Sequence, residues 1–486
     1  MVSFAAVAMP ARSALSGNAR SIARESRVRW ARQRRAVRRL AAEALRRGVD
    51  LVVAVVVLVV LLPVVMPLLA WWGIYGRPVA REVRLGKRRQ VFRALRVELG
   101  ASRFATWLRL RGLDHSLVWL NVLAGQMTLV GPRAIAVDEP GLADAGGRRF
   151  LVKPGLVCLW WIRQRANIAF GSEWAADNEY VASRSLSGDF GILLRALVAG
   201  LYGARRGETA ERIELFGLPI TNVAMDEAVR RMVAQLDADE PRRACFINAD
   251  CVNLSFRNPA YRECLRTSWM NFADGIGMKL AGRAFGREIR ENICGTDLFL
   301  FLCEALSGTD KSLFLLGAKP GVVDDLHAWM RERYPDARVA GARHGYFTAE
   351  EEPQVIAEIA ASKADVLLVA FGAPRQDLWA AENLAATGVK LAMGVGGLFD
   401  YYSGRIPRAP QWVREIGMEW AFRLAQEPRR LWRRYVCGNV VFLARVMWWK
   451  MRGSGFGTRI SGFEDSGFVD ARGQGESPVQ RTTRRR

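Results

Sequence analysis

The spacing of apolar and polar positions divides the chain into regions of different character. Residues 1–47 are rich in Ala and Arg and contain no long apolar run; "RVRWARQRRAVRRLAAEALRR" (27–47) can wind into an amphipathic helix on phospholipid headgroups, with a solvated, disordered arm as the alternative. Residues 51–72, "LVVAVVVLVVLLPVVMPLLAWW", carry no charge. A helix of roughly 20 such residues spans a bilayer core. Pro63 and Pro67 each remove a helical hydrogen bond and bend the axis, so the run either spans or dips into one leaflet and returns. A pair of buried Val-rich strands is the alternative. Residues 48–205 hold this run and a basic, compact segment, and "GARRGETAER" (203–212) has the composition of a linker. From about 212 to 450 the pattern changes. The short apolar strands "ACFINAD", "KSLFLLGA", "ADVLLVAFGAP" and "VKLAMGVGG" alternate with helical stretches such as 351–362 and 376–386. That alternation predicts an α/β domain with a mainly parallel sheet. The expected division is therefore 1–47, 48–205, 206–450 and a polar, Gly/Ser-rich, disordered tail, 451–486. No internal repeat is visible.

Charge sharpens this picture. Of a net charge of +23, much lies at the two ends: twelve Arg against Glu25, Glu43 and Asp50 up to residue 50, and fourteen Lys/Arg against five acids from Arg423 onward. Basic ends suit nucleic acid or an anionic membrane surface. The apolar run decides for the membrane, since it follows a basic stretch, which predicts a cytosolic N-terminus, and closes on the interfacial residues Trp71 and Trp72. It begins too late for a secretory signal, and no nucleic-acid recognition motif is present. Trp412, Trp420, Trp432, Trp448 and Trp449, interleaved with Arg, make 412–450 a candidate membrane-surface appendage, with a plain structural helix as the alternative. Seven Cys without a CxxC pair, and three His, show no metal-site spacing, so reduced thiols are expected. Cys251 and Cys294 are read as packing residues rather than nucleophiles.

Candidate chemistry concentrates in the second half. "FADGIG" (272–277), "GTDLF" (295–299), "FGAPRQD" (371–377) and "GVGGLFD" (394–400) end or follow predicted strands. In open α/β sheets ligands bind at the carboxyl ends of strands, and glycines there let backbone approach a phosphate or sugar. These segments, together with "NADCVNL", "FLLGAKPGV", "YPDARVAGARHGYF", "GVGGLFDYYSGRIPRAPQW" and "GMEWAFRLAQEPRRLWRRY", resemble the WecG/TagA/CpsF glycosyltransferases, glycosyltransferase family 26, over about residues 212–445. The resemblance implies a Rossmann-like domain that moves a sugar from a UDP-sugar to a lipid-linked acceptor with inversion. Such a reaction needs a base for the acceptor hydroxyl, charge stabilisation for the UDP leaving group and exclusion of water.

The resemblance implies Asp274 as that base, a helix-capping role being its alternative. It places Asn248 near the acceptor, and gives Gln376 a catalytic contact to sugar hydroxyls. Thr296, Asp297, Gly394 and Gly396 would hold substrate. With no metal motif and a family that looks metal-independent, arginines must neutralise the diphosphate, and Arg408, Arg423, Arg430, Arg433 and Arg434 are candidates. The appendage would close this site at the bilayer. Departures from the family pattern are Phe246 for Thr, Asn292 for Arg and Asp377 for Glu; the first two put sugar or phosphate contacts in doubt.

The first half resembles a second family. "RLGKRRQVFRALR", "LDHSLVWLNVLAGQMTLVGPR", "VKPGLVCLWW" and "DNEYVASRSLSGDFGIL" are similar to the bacterial sugar transferases, the monotopic phosphoglycosyl transferases, over about 48–200. That resemblance implies an α-rich, α+β domain with a membrane helix, and a reaction joining sugar 1-phosphate to undecaprenyl phosphate with release of UMP. In that family an Asp attacks phosphate and the adjacent Glu helps hold Mg²⁺. Here Asp114 keeps the nucleophile position but His115 stands for the Glu, and an imidazole is a poor ligand for a hard cation. Ala94, Ala134, Val157 and Cys158 depart as well, while Arg133 remains as a phosphate candidate. A retained scaffold with lost or altered catalysis is expected.

Together these readings describe a membrane-associated inverting hexosyltransferase of bacterial surface polysaccharide assembly, on the cytoplasmic face of the inner membrane. Its expected partners are a UDP-sugar, a polyprenyl-diphosphate-linked sugar acceptor and membrane lipid, with no nucleic acid. The donated sugar would be N-acetylmannosamine-like or another hexose. No cofactor is expected for the C-terminal domain, and Mg²⁺ only if the N-terminal domain is active. The alternatives are a bifunctional enzyme that also releases UMP and a non-catalytic scaffold.

Overall fold

A computed structural model describes residues 12–73, 79–98, 113–139, 147–166, 172–202 and 210–455, with Ser102, Ala105, Leu108 and Ile168 between these segments. The linker residues 203–209 and the tail from 456 lie outside the described residues.

The first element is a single helix, Arg12–Gly73, that joins the basic leader to the apolar run. Pro63 and Pro67 lie inside it without ending it. Its stretch Leu40–Pro67 is long and apolar enough to cross a membrane. One face, including Val52, Val55, Val56, Val59 and Val60, is exposed, whereas Ala54 and Val65 on the other face are buried. Apolar residues on both faces are what a helix between protein and lipid requires. Polar residues at the start of the run pin it to the N-terminal domain. Arg46 pairs with Asp189 at 2.6 Å, Arg47 donates to the carbonyls of Val122 and Leu123, and buried Asp50 accepts from Thr128 Oγ1 and the Leu129 amide. Arg46 and Arg47, at the end of the leader, thus tie it to the N-terminal domain.

The N-terminal domain is built on short strands. β1 (Val79–Leu85) and β2 (Val91–Val97) form an antiparallel hairpin, β3 (Thr128–Val130) pairs in parallel with β5 (Gly155–Val157), and β4 (Ile135–Ala136) adds to the edge of β1. Helices Leu159–Ala166, Glu173–Ser183 and Leu186–Tyr202 cover the β3–β5 pair around Leu129, Ile162, Tyr180 and Ala199.

The C-terminal domain opens with an antiparallel hairpin, β6 (Arg212–Leu215) and β7 (Leu218–Thr221). Six strands then follow: β8 (Arg242–Ile247), β9 (Met270–Ala273), β10 (Ser312–Gly317), β11 (Arg338–Arg343), β12 (Val366–Ala370) and β13 (Leu391–Gly394). They make one fully parallel sheet in the order β11-β10-β12-β13-β8-β9. Side chains alternate between its faces, as period two demands. Phe272, Leu313, Leu315, Val366 and Met393 enter one core, while Ile247, Phe314, Leu316, Leu367 and Ala392 enter the cores beneath the opposite face. Helices cover both faces, so the expected α/β class with a parallel sheet is what the chain forms.

The appendage is part of this domain rather than an addition to it. The last helix, Gly438–Gly455, buries Phe442 and Val446 against the β6–β7 hairpin and leaves Val440, Leu443, Met447, Trp448 and Met451 exposed. It continues to Gly455, into the stretch expected to be tail.

Candidate active site

Every strand of the parallel sheet ends at the same cleft, a cavity of about 1550 Å³. Asn248 follows β8, Asp274 follows β9, Ala318 follows β10, Phe371 follows β12, and Val395 follows β13; all line it. Parallel strands expose all their carboxyl ends on one edge, which is why residues distant in sequence gather there. Eight Lys and Arg side chains line the cleft against six carboxylates.

Asp274 lies partly buried in the wall of the cleft. The next residue, Gly275, has φ of +87°, a conformation that favours glycine and turns the chain from β9 into helix Ile276–Ala284. The Gly275 amide donates to Asn292 Oδ1, so Asn292 holds the turn that presents Asp274. Burial and the nearby Glu419 carboxylate push the Asp274 carboxyl up to about 6, against a lowering hydrogen bond from Asn248. The Asn248 Oδ1 atom accepts from the Asp250 and Cys251 amides at 3.0 and 3.1 Å, so Asn248 also caps the helix Ala249–Ser255. Phe246, at the Thr departure, lines the cleft and packs against Gly295 and Phe272.

Several expected ligand contacts are already committed within the protein. Gln376 is buried, and its Oε1 accepts from the Gly372 amide at 3.1 Å and the Gly396 amide at 3.0 Å. It staples the loop after β12 to the loop after β13, and Gly394 lies against the same side chain. Gln376 also lines the cleft, so this staple adds a positioning role to the substrate contact that the resemblance implies. Asp377, beside it, is buried, takes a hydrogen bond from Tyr261 at 3.1 Å and is pushed up to about 7 by burial.

Asp297 is buried in an ion pair with Arg408 at 2.6 Å, with Arg414 further off at 3.9 Å. Burial acts to raise its carboxyl, but Arg408 outweighs that and holds it low. Arg408 also pairs with Glu419 at 3.2 Å and does not reach the cleft wall, so it braces the site instead of meeting a diphosphate. Thr296 lines the cleft, and its carbonyl accepts from the Tyr402 hydroxyl. Arg423 faces the cleft beside Gly397, donates to the Tyr401 hydroxyl at 2.6 Å and lies over the Tyr401 ring. Arg430 lines the rim, exposed and paired with Glu427 at 2.7 Å; Arg434 lines it paired with Asp250 at 2.9 Å. Arg433 lies over the ring of Trp432 and does not line the cleft. Burial pushes the Cys251 thiol up to about 12 and the Cys294 thiol well above its ordinary value, as packing residues require.

Sequence reasoning missed Glu419, Tyr401 and Lys319, which also line the cleft. Glu419 and Tyr401 sit inside the segments "GMEW" and "FDYY", which drew attention to arginines alone.

The N-terminal pair is arranged differently. Asp114 is buried, with one carboxylate oxygen accepting from Arg96 Nη2 at 2.8 Å and Nε at 3.2 Å, and the other 3.0 Å from His115 Nδ1. Burial acts to raise its carboxyl, and the hydrogen bonds from His115 and Arg96 outweigh it and lower it. Both oxygens are thus occupied by nitrogen donors, two of them on a cation. This donor set does not fit a Mg²⁺ ion, which needs free oxygen ligands. Arg133, expected to remain available for phosphate, is instead held between Glu139 at 2.6 Å and Glu173 at 2.9 Å, over the Trp160 ring.

The parallel sheet and its basic, glycine-rich cleft define the second half as a Rossmann-like ligand-binding domain. The chain belongs to the WecG/TagA/CpsF glycosyl transferase family, whose model matches residues 213–455. Residues 41–203 match a second model, that of the bacterial sugar transferases. Both are families of transferases, the second of them membrane-associated, so the chain fuses two sugar-transferase domains.

Proposed function

We propose that the C-terminal domain transfers a hexose from a UDP-sugar to a sugar carried on polyprenyl diphosphate, with inversion and with Asp274 as general base. The reaction would take place on the cytoplasmic face of a bacterial inner membrane and serve surface polysaccharide assembly. The observation that carries this reading is the placement of Asp274 directly after β9 in the wall of the cleft, with its carboxyl held at about 6. A base of that affinity is mostly ionised at neutral pH, yet binds a proton more firmly than an exposed carboxylate. Arg423, Arg430 and Arg434 supply cations along the cleft for the diphosphate. The apolar outer face of helix Gly438–Gly455 and the helix Leu40–Pro67 suit a site that meets its lipid-linked acceptor at the bilayer.

The N-terminal domain, on this reading, anchors the enzyme and has lost phosphoglycosyl transfer, because the Asp114 carboxylate is taken up by Arg96 and His115. The test is nucleotide release by full-length protein in membranes. UDP released only with a lipid-diphosphate acceptor, and lost in Asp274→Asn, is expected. UMP released with undecaprenyl phosphate, and lost in Asp114→Asn, would overturn the reading of the N-terminal domain.

A further inference from the structure

The cleft is not built from the C-terminal domain alone. Ala166 and Ile168, at and just beyond the end of helix Leu159–Ala166 in the N-terminal domain, line it beside Asp274, Ile276 and Lys279. Lys279, buried on the helix that follows Asp274, donates to the Ala166 carbonyl at 3.0 Å. A buried ionic tie between the two domains lies close by. Glu415 is fully buried at the end of the short helix Gln411–Glu415, and its two oxygens accept from two N-terminal arginines. Arg163 Nε donates to one at 2.8 Å, and Arg195 Nη1 donates to the other. Arg163 is itself buried and also pairs with Glu179 at 2.8 Å. A carboxylate taken wholly out of water needs such partners, so this cluster fixes the relative position of the domains.

The segment held by the clamp leads directly to the site. Arg414 approaches Asp297. Gly417, with φ of +71°, lies so close to Ile276 that a Cβ there would sit 2.6 Å from Ile276 Cδ1. Glu419 pairs with Arg408, and its charge acts on Asp274. Segment 414–419 thus meets the turn after Asp274 through Ile276 and the nearby Asp297 through Arg414, and Glu415 ties it to the N-terminal domain.

We infer that the sugar-transferase-like N-terminal domain is a positioning element of the C-terminal site: through Arg163, Arg195 and Glu415 it holds segment 411–419, and with it the wall that carries Asp274. This inference rests on the reading of the cleft as a transferase site for its catalytic consequence, but not for its structural one. Arg163, Arg195 and Glu415 are positioning residues, since none of them lines the cleft.

The test uses the full chain in lipid nanodiscs, with two variants. Glu415→Gln keeps the side chain's size and one acceptor but removes its charge. The triple variant Arg163→Met, Arg195→Met, Glu415→Leu removes the cluster together and leaves no buried charge of the clamp unpaired. Amide hydrogen exchange is read at 273–280 and 411–419, with β10 as the internal reference. Exchange in both segments is expected to quicken at least about tenfold in each variant while β10 is unchanged. UDP release is expected to show a kcat lowered about tenfold or more, with KM for the UDP-sugar within about twofold. Unchanged exchange at 273–280 in both variants overturns the inference, whatever the activity; so does equal quickening of β10, which would mean general destabilisation. Quickened exchange with wild-type kcat overturns the catalytic part. If Asp274→Asn retains full UDP release in the same assay, the reading of the site fails instead, and the exchange result still decides the coupling.

Discussion

Two aspartates, one in each domain, follow opposite courses. Asp114 and Asp274 are the two carboxylates to which the family resemblances assign chemistry; Asp114 is buried and Asp274 partly buried. Asp114 is met by a guanidinium and an imidazole, its two oxygens are occupied, and its proton affinity falls. Asp274 is met by Asn248 and by the like charge of Glu419, it faces a cleft, and its proton affinity rises. Neighbours, rather than residue identity, decide what a carboxylate can do. A carboxylate neutralised by an arginine is a structural tie. One crowded by another carboxylate at the end of a strand can take a proton from a substrate.

The largest effect that this contrast predicts is on transfer itself. Asp274→Asn should lower kcat for UDP release about a thousandfold, the span expected of a general base, whereas Asp114→Asn should leave UDP release within about twofold. Equal losses in a steady-state assay would mean that the two sites are not separable. Gln376→Ala comes next. It frees two backbone amides, of Gly372 and Gly396, inside the wall of the cleft. A drop in kcat/KM of about tenfold to a hundredfold is expected, accompanied by a stability loss of about 1–3 kcal/mol in denaturant unfolding. A loss of activity without any loss of stability would assign Gln376 to substrate contact alone.

A smaller effect concerns pH. With a base held at about 6, kcat/KM should rise with pH through about 6 and level off above it, because only the ionised carboxylate accepts the proton. Glu419→Gln removes the charge that helps to raise it, so the limb should move to lower pH. A limb that stays in place would separate Glu419 from Asp274. It would also assign the pH dependence to another group.

Much of the C-terminal fold could be read directly. Strands β10, β12 and β13 lie within the apolar runs that predicted them, and β8 begins two arginines before its run, since central strands of a parallel sheet are buried on both faces and read as continuous hydrophobic text. The edge strands read less plainly. β11, "RVAGAR", alternates between exposed and partly buried residues, and β9 is only four residues long. Asn248 and Asp274, directly after β8 and β9, Gly394 and Gly396, at and after the end of β13, and Thr296, at the start of helix Gly295–Leu306, all line the cleft. The arginines were not separable by composition. Arg408 and Asp297, 111 residues apart, bind each other, and no spacing rule announces a pairing at that distance. The same holds for Arg163 with Glu415 and for Arg133 with its two glutamates. The Asn292 departure puts a sugar or phosphate contact in doubt, and in the structure its side chain accepts from the Gly275 amide. Such roles depend on side-chain direction, which hydrophobic periodicity does not encode.

The smallest effect gives the cleanest contrast, because it predicts opposite signs for one substitution. The Asp274 carboxyl binds its proton more tightly folded than unfolded, at about 6 against an ordinary 3.8. The folded state therefore holds more protons between those pH values, and stability falls as pH rises through that window. Ionising such a group costs the folded state about 3 kcal/mol in full, which solvent reaching a partly buried carboxylate screens to about 1 kcal/mol. Asp274→Asn should thus stabilise the protein by about 1 kcal/mol at pH 7.5 and by nothing near pH 4. For Asp114 the sign reverses. Its folded affinity is depressed, so its contribution is present above the unfolded value and lost as pH falls. Asp114→Asn should destabilise by about 1–3 kcal/mol at neutral pH, with Arg96 losing its buried partner. Urea unfolding of both variants at pH 4 and 7.5 measures this directly. Should both substitutions destabilise at pH 7.5, Asp274 is a structural tie like Asp114, and the base of the C-terminal site must be sought among the other carboxylates of the cleft.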